Sequence, residues 1–437
     1  MLFRRWSGVA ASVLLALGAL LLEPAAAQQA APTQPRGTSA RAPTVGALYP
    51  RDRTQSPITE AVAAHLRQLA GRGEAHDDVF VKVGASATVN RHFLRCFSGS
   101  EVDLADQSDL SATLRFFNES DHADSFSRVS RSATVGWHAG RAVWGAPPPV
   151  LREVRALDPR FAVVMYGTND IELGRPQLYA ELMLRLTGML TERGVIPILS
   201  TIMPRDDDPE ADRLVPLYNA VVRGVAQRRQ VPLVDLHREL MRLPDHGIAS
   251  DGVHPNVLFV DGDPRGCDFG PEGLRHGYNV RNLLTLRALD RLRRHVLEEE
   301  PAPDAPGAPL EGAGSLARPF VVSELPFAHA SDTARSPHRG RDRYACGEQD
   351  ESGPAVVYRI VLEEPAEVAA LIAAEEAVDV DLHLLHDGRC VTRDDDYLSV
   401  ELEPGTWDFV VDSFVTPGGD ARSGEFLFVV ARTDRPS

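Results

Sequence analysis

Apolar residues along this chain follow two different rhythms. Through about residue 297, short apolar runs alternate with stretches in which apolar residues recur every three or four positions. Residues 79–83, 161–166, 195–201 and 231–235 read as strands, with 126–130 a weaker one. Residues 58–69, 147–157, 176–193, 211–229 and 283–297 read as helices, and 91–96 is expected to extend a helix that starts after residue 86. The strand runs are not strictly alternating, as suits strands covered on both faces. Strand and helix in turn predict a parallel sheet with helices on both sides. Right-handed crossovers then bring every strand carboxyl end to one edge.

Beyond the residue 298–314 stretch, rich in Pro, Ala, Gly and Glu, the rhythm changes. Residues 355–362, 367–372, 378–385, 398–402, 407–411 and 425–430 are short, alternating runs. The turn pairs Asp387-Gly388, Pro404-Gly405 and Gly418-Gly419 fall between them. Short strands so spaced predict a small all-β sandwich. The expected division is an export signal at 1–27, a flexible leader at 28–54 and an α/β domain at 55–297. A linker at 298–340 and the β-sandwich at 341–437 complete it.

Composition narrows the setting. The chain has 437 residues, ample for two cores, and a formal net charge of −16 with no basic stripe, which argues against nucleic acid as a partner. Arg4 and Arg5 precede an apolar run at 9–22 and Ala25-Ala26-Ala27, the grammar of a cleaved export signal. The run is too short to favour a membrane span, so a secreted, periplasmic or cell-surface monomer without an integral span is expected. Four cysteines in an exported chain allow three pairings. The domain division favours Cys96–Cys267 and Cys346–Cys390. No cofactor is expected. Asp379, Asp381, Asp394, Asp395 and Asp396 read first as a solvated acidic turn, and only second as oxygen ligands for Ca²⁺.

Candidate chemistry lies at the predicted sheet edge. Residues 79–88 read as a strand, a Gly84-Ala85-Ser86 bend and a helix start. A serine so placed serves as a nucleophile when a base takes its proton, an acid orients that base and donors face the oxyanion. His254 is the candidate base and Asp251, three residues earlier, the candidate acid. The N–H groups of Ser86 and Gly136 and the amide of Asn169 are the candidate oxyanion donors. Taken singly, each has a plain alternative: Ser86 caps a helix, His254 is a surface histidine, and Asn169 and Asp170 cap a turn. His122 and His138 read as ordinary loop residues, and Phe116-Phe117 as core. Four blocks in this order carry the signal.

Gly84-Ala85-Ser86, Gly136, Gly167-Thr168-Asn169-Asp170 and Asp251-Gly252-Val253-His254-Pro255 together resemble the SGNH, or GDSL-type, hydrolases. The resemblance covers about residues 75–297. It implies a flavodoxin-like three-layer α/β/α sandwich and serine esterase chemistry on an ester-bearing small molecule or an acetylated glycan. Two departures stand out: Ala85 replaces the family's Asp before the serine, and Gly140 competes with Gly136 for the second block. Residues 358–362, 379–382 and 405–407 resemble the bacterial pre-peptidase C-terminal type of sandwich. Two other readings share the scaffold: a non-catalytic binding protein, motivated by Ala85, and an envelope acyltransferase using the same residues.

Overall fold

The computed structural model describes residues 48–339 and 341–434. The expected export signal and the leader as far as residue 47 lie outside the described residues. The leader's last part joins the fold: Tyr49 is buried, its N–H donates to Gln227 Oε1 at 3.0 Å, and Gln55 bridges to Val234.

Four parallel strands form the first sheet in spatial order β1 (His76–Gly84), β2 (Pro159–Met165), β3 (Ile196–Ser200) and β4 (Leu233–Val234). Helices α1 (Glu60–Ala70), α2 (Ser86–Val89), α3 (Ser111–Asn118), α4 (Ala139–Val143), α5 (Pro149–Leu157), α6 (Pro176–Thr191), α7 (Pro209–Arg229), α8 (Leu236–Leu240) and α9 (Gly277–Leu292) accompany it. Residues 79–84 of β1 and all of β2 and β3 are buried, as runs covered on both sides should be. A short hairpin, β5 (Phe259–Val260) and β6 (Asp263–Pro264), follows the last candidate block.

Two local expectations are corrected. Residues 126–130 form no strand. They run beside β1 and satisfy its outer edge with side chains: Ser125 Oγ accepts the Phe80 N–H at 3.0 Å, and Ser130 Oγ donates to the Lys82 carbonyl at 2.5 Å. Only Gly84 and Ala133 form a backbone bridge there. Nor does 91–96 extend α2. Asn90 leaves helical geometry, and its side chain accepts the His92 N–H at 3.0 Å, a local bond that competes with the helix. Between them, residues 101–124 contain α3, which buries Phe117.

The sandwich has one sheet ordered β13-β10-β15-β8 and another ordered β12-β11-β14-β9-β7. Its strands are β7 (Phe320–Val321), β8 (Phe327–Asp332), β9 (Ala355–Leu362), β10 (Ala366–Ala374), β11 (Val380–His386), β12 (Arg389–Asp394), β13 (Tyr397–Leu402), β14 (Gly405–Ser413) and β15 (Glu425–Arg432). The β7 and β8 strands fall inside the expected 298–340 linker. They pair with β9 and β15, so the sandwich begins earlier than its alternating rhythm indicated. The segment before them is also held: Asp304 accepts the Ile58 N–H at 2.8 Å and pairs with Arg291.

The sandwich is not tethered at a distance. Leu371, Leu427 and Val429 share one apolar core with α6 and α7. Gly224 makes that approach possible. A Cβ there would lie 2.5 Å from Leu427 Cδ1 and 3.0 Å from Ala328 Cβ.

Candidate active site

The bend after β1 presents Ser86. Gly84 must be glycine: a Cβ would lie 2.7 Å from the Met165 carbonyl oxygen and collide with Thr88. The chain can therefore turn hard against the end of β2 and start α2 at Ser86. The Ser86 side chain does not cap that helix. Its Oγ lies 2.7 Å from His254 Nε2. His254 Nδ1 lies 2.7 Å from Asp251 Oδ2, so the three residues form one hydrogen-bonded chain across the sheet edge.

Asp251 is held for this task. Its Oδ1 accepts the N–H groups of Val253 at 3.0 Å and His254 at 2.9 Å, leaving Oδ2 for the imidazole. Desolvation pushes its pKa up, but those N–H bonds and the His254 contact outweigh it and hold the carboxyl below its ordinary value. Asp251 therefore stays ionised and selects the His254 tautomer with its proton on Nδ1, freeing Nε2 to accept from Ser86. Gly252 adopts φ +72°, and a Cβ there would lie 2.6 Å from the Asp207 nitrogen, so this loop also needs glycine. Ala85 packs into the apolar core; the carboxylate on His254 comes from position 251.

The second and third blocks lie beside the bend. The Gly84 N–H donates to Ser132 O, and the Thr134 N–H donates to Gly84 O, both at 3.2 Å, which starts the 134–138 loop next to Ser86. Asn169 Nδ2 donates to the Trp137 carbonyl at 2.8 Å. That bond uses one amide proton and orients the other. Gly136 has φ +75° and open space around it. Gly140 is a glycine for another reason: it lies inside α4, where a Cβ would lie 2.6 Å from the Trp144 ring. Of the two, Gly136 is the one with open surroundings.

Asp170 joins the two blocks. Its Oδ1 accepts the Ala139 N–H at 2.9 Å and its Oδ2 the Gly167 N–H at 3.0 Å. Burial outweighs these bonds and pushes its pKa up to about 6. Its side chain does not cap the following turn, as the sequence alternative had it; both oxygens are taken by Ala139 and Gly167.

Two arginines escaped the sequence reading. Arg205, buried, donates Nη1 to the Thr168 carbonyl at 3.1 Å, Nη2 to Glu172 at 2.8 Å, and Nε to Asp207 at 2.7 Å. Asp207 in turn donates its N–H to the Gly252 carbonyl at 3.3 Å. Arg205 thus couples the Asn169 loop to the His254 loop. Arg281, on α9, donates to the Ala87 carbonyl at 2.6 Å and to Thr88 Oγ1 at 3.1 Å, with its guanidinium 3.7 Å over the Phe93 ring. It fixes α2 from below. The arginines are visible in the sequence, but their partners lie far away along it.

Other candidates are placed as follows. His122 stacks on His76, and His138 packs edge-on to Trp144. Cys96 pairs with Cys267 and Cys346 with Cys390. The five aspartates do not gather at one point. Arg393 pairs with both Asp381 and Asp395, while Asp394 accepts turn N–H groups from Asp396 and Tyr397. Among the described residues, the one group with metal-ligand spacing is Cys346, His383 and Cys390, and its two cysteines are disulfide-bonded.

Residues 118–258 match the model of the GDSL-like Lipase/Acylhydrolase family. The match takes in Gly136, Asn169, Asp251 and His254 and begins after Ser86. No curated protein sequence matches the chain. Among solved structures, a GDSL-like lipase from Bacteroides thetaiotaomicron is 15% identical, with 53% of this chain and 98% of that one covered, at a TM-score of 0.32. An acetyl xylan esterase variant from Geobacillus stearothermophilus is 15% identical over 50% of this chain and 96% of its own, at 0.33. A two-domain esterase active on acetylated mannans is 13% identical over 87% of this chain and 97% of its own, at 0.30. At these scores the likenesses assign nothing by themselves. The family match over residues 118–258 and the parallel α/β sheet around them support an ester hydrolase of the SGNH, GDSL-like type.

Proposed function

We propose that the chain is an exported serine esterase that removes short acyl groups from a carbohydrate, with Ser86 as nucleophile, His254 as general base and Asp251 as the orienting acid. The hydrogen-bonded chain from Ser86 through His254 to Asp251 carries this reading. In it, His254 Nε2 takes the Ser86 proton as Oγ attacks the ester carbonyl. The N–H groups of Ser86 and Gly136 and the second amide proton of Asn169 face the oxyanion. His254 then protonates the sugar oxygen as its bond to the acyl carbon breaks, releasing the sugar hydroxyl, and water repeats the sequence to release the acid and free Ser86.

A polymer suits the setting. The side chains of His254 and Asp251 are 29% and 52% exposed, so an ester on a large chain reaches the serine without entering a closed chamber. Two disulfides fit an oxidising compartment, and among the described residues no helix is long and apolar enough to cross a membrane. The sandwich, read as the pre-peptidase C-terminal type, is an auxiliary module. Ser86→Ala is expected to cut 4-nitrophenyl acetate turnover by at least about a thousandfold and to abolish fluorophosphonate labelling, with an unchanged melting curve. Undiminished turnover or labelling in that variant rejects Ser86 as the nucleophile.

A further inference from the structure

The segments that carry Ser86 and His254 meet a second time. The chain running on from Ser86 and the chain running on from His254 flank an open cavity of about 450 Å³. Arg91, His92, Arg95 and Glu101 line one side, and Pro264 and Gly266 the other. The Cys96–Cys267 bridge clasps the two segments. The path back to the serine is short. The Asn90 N–H donates to the Ser86 carbonyl at 2.9 Å, and the Asn90 side chain accepts the His92 N–H at 3.0 Å. The His92 ring lies 6.2 Å from Phe259 and 5.8 Å from Tyr278, whose hydroxyl donates to the Ala87 carbonyl at 3.3 Å.

The charge in this cavity runs against that of the chain. Glu101 is answered by Arg265 at 2.7 Å. Arg91 and Arg95 are exposed and, among the described residues, neither is within ion-pair distance of a carboxylate. Two unopposed guanidinium groups in one concavity, on a chain of net charge −16, reverse the local sign. Guanidinium matches the two oxygens of a carboxylate or a phosphate in a bidentate fork.

We propose that this cavity is a subsite for an anionic group on the acylated glycan, a uronate carboxylate or a phosphate ester, some way along the polymer from the ester at Ser86. The inference rests on the hydrolase reading above and narrows its substrate class to acidic glycans. The test compares full-length wild type with Arg91→Gln/Arg95→Gln on 4-nitrophenyl acetate, O-acetylated polygalacturonate and an O-acetylated neutral mannan. Wild type is expected to prefer the acidic polymer, and to do so less at high salt. The variant is expected to keep its rates on the aryl ester and the mannan while losing about tenfold or more in kcat/KM on polygalacturonate, mainly through KM. D-Galacturonate and inorganic phosphate, tested as competitors, separate the two anion sources by which inhibits more strongly. A wild type with no preference for the acidic polymer, or equal losses on all three substrates, overturns the subsite. Absence of aryl-ester turnover in wild type overturns the hydrolase reading instead.

Discussion

The α/β region and the sandwich bury charge in opposite ways. Near the candidate site buried charges reach loop backbone: Asp170 the N–H groups of Ala139 and Gly167, Arg205 the Thr168 carbonyl besides its two carboxylate partners, and Arg281 the Ala87 carbonyl. In the sandwich, Glu351 and His383 are buried 3.7 Å apart; neither His383 ring nitrogen has a hydrogen-bond partner, and Glu351 faces the Asp381 carboxyl. The consequence there is displaced titration. Burial, reinforced by the Asp381 charge, holds Glu351 well above the ordinary carboxylate range; burial also pushes His383 down to about 4 and Asp412 up to about 7. Desolvation acts in both regions. Where loop backbone answers the charge, the bonds fix loop geometry even as burial pushes Asp170 up; where buried carboxyls face one another, as Glu351 and Asp412 face Asp381, titration is displaced further.

The strongest test of this contrast is Arg205→Met. If Arg205 positions the Asn169 and His254 loops, kcat on 4-nitrophenyl acetate falls by about 10- to 100-fold with little change in KM, and Arg205→Lys recovers part of it. A lower melting temperature with unaltered kcat reduces Arg205 to scaffolding and removes one side of the comparison. Gly224→Val probes the seam between the regions. Driving a side chain into Leu427 and Ala328 is expected to destabilise the protein by about 1–3 kcal/mol. Denaturant unfolding measures this, and the esterase rate of the folded fraction should stay unchanged.

Glu351→Gln has the smallest expected effect and addresses the sandwich directly. A carboxyl whose folded pKa is raised contributes its full stability below its unfolded value, near 4.5 here, and loses it as pH climbs toward the folded value. Wild type should therefore lose stability between pH 5 and pH 8 relative to Glu351→Gln. Melting curves of both proteins across that range measure the difference. Parallel curves would mean that the buried carboxyl has found a partner and that the two regions do not differ in this respect.

Much of the architecture was legible because it is written in local apolar spacing. The strands, the major helices and the change of rhythm in the last third need only neighbours along the chain. The four blocks were legible too, because a strand's carboxyl end is followed at once by its loop: Ser86 directly after β1, Asn169 soon after β2. What failed to show has a common cause. The segment beside β1 resembles a strand in composition, yet its bonds come from Ser125, Ser130 and Arg128 side chains. Arg205 and Arg281 meet carbonyls 37 and 194 residues away. The β7 and β8 strands are recognisable only by the partners they join.

The sequence by itself determined the order of strands and helices, the types of residue available for chemistry and the glycines that permit its tight turns. Periodicity and conformational preference act over a few residues, so they can be read in one dimension. Tertiary structure decided that Ser86 and His254 stand 2.7 Å apart, that Arg205 ties two loops together, and that the sandwich shares a core with α7. Those outcomes depend on which distant groups exclude water from one another, and spacing along a chain does not encode that.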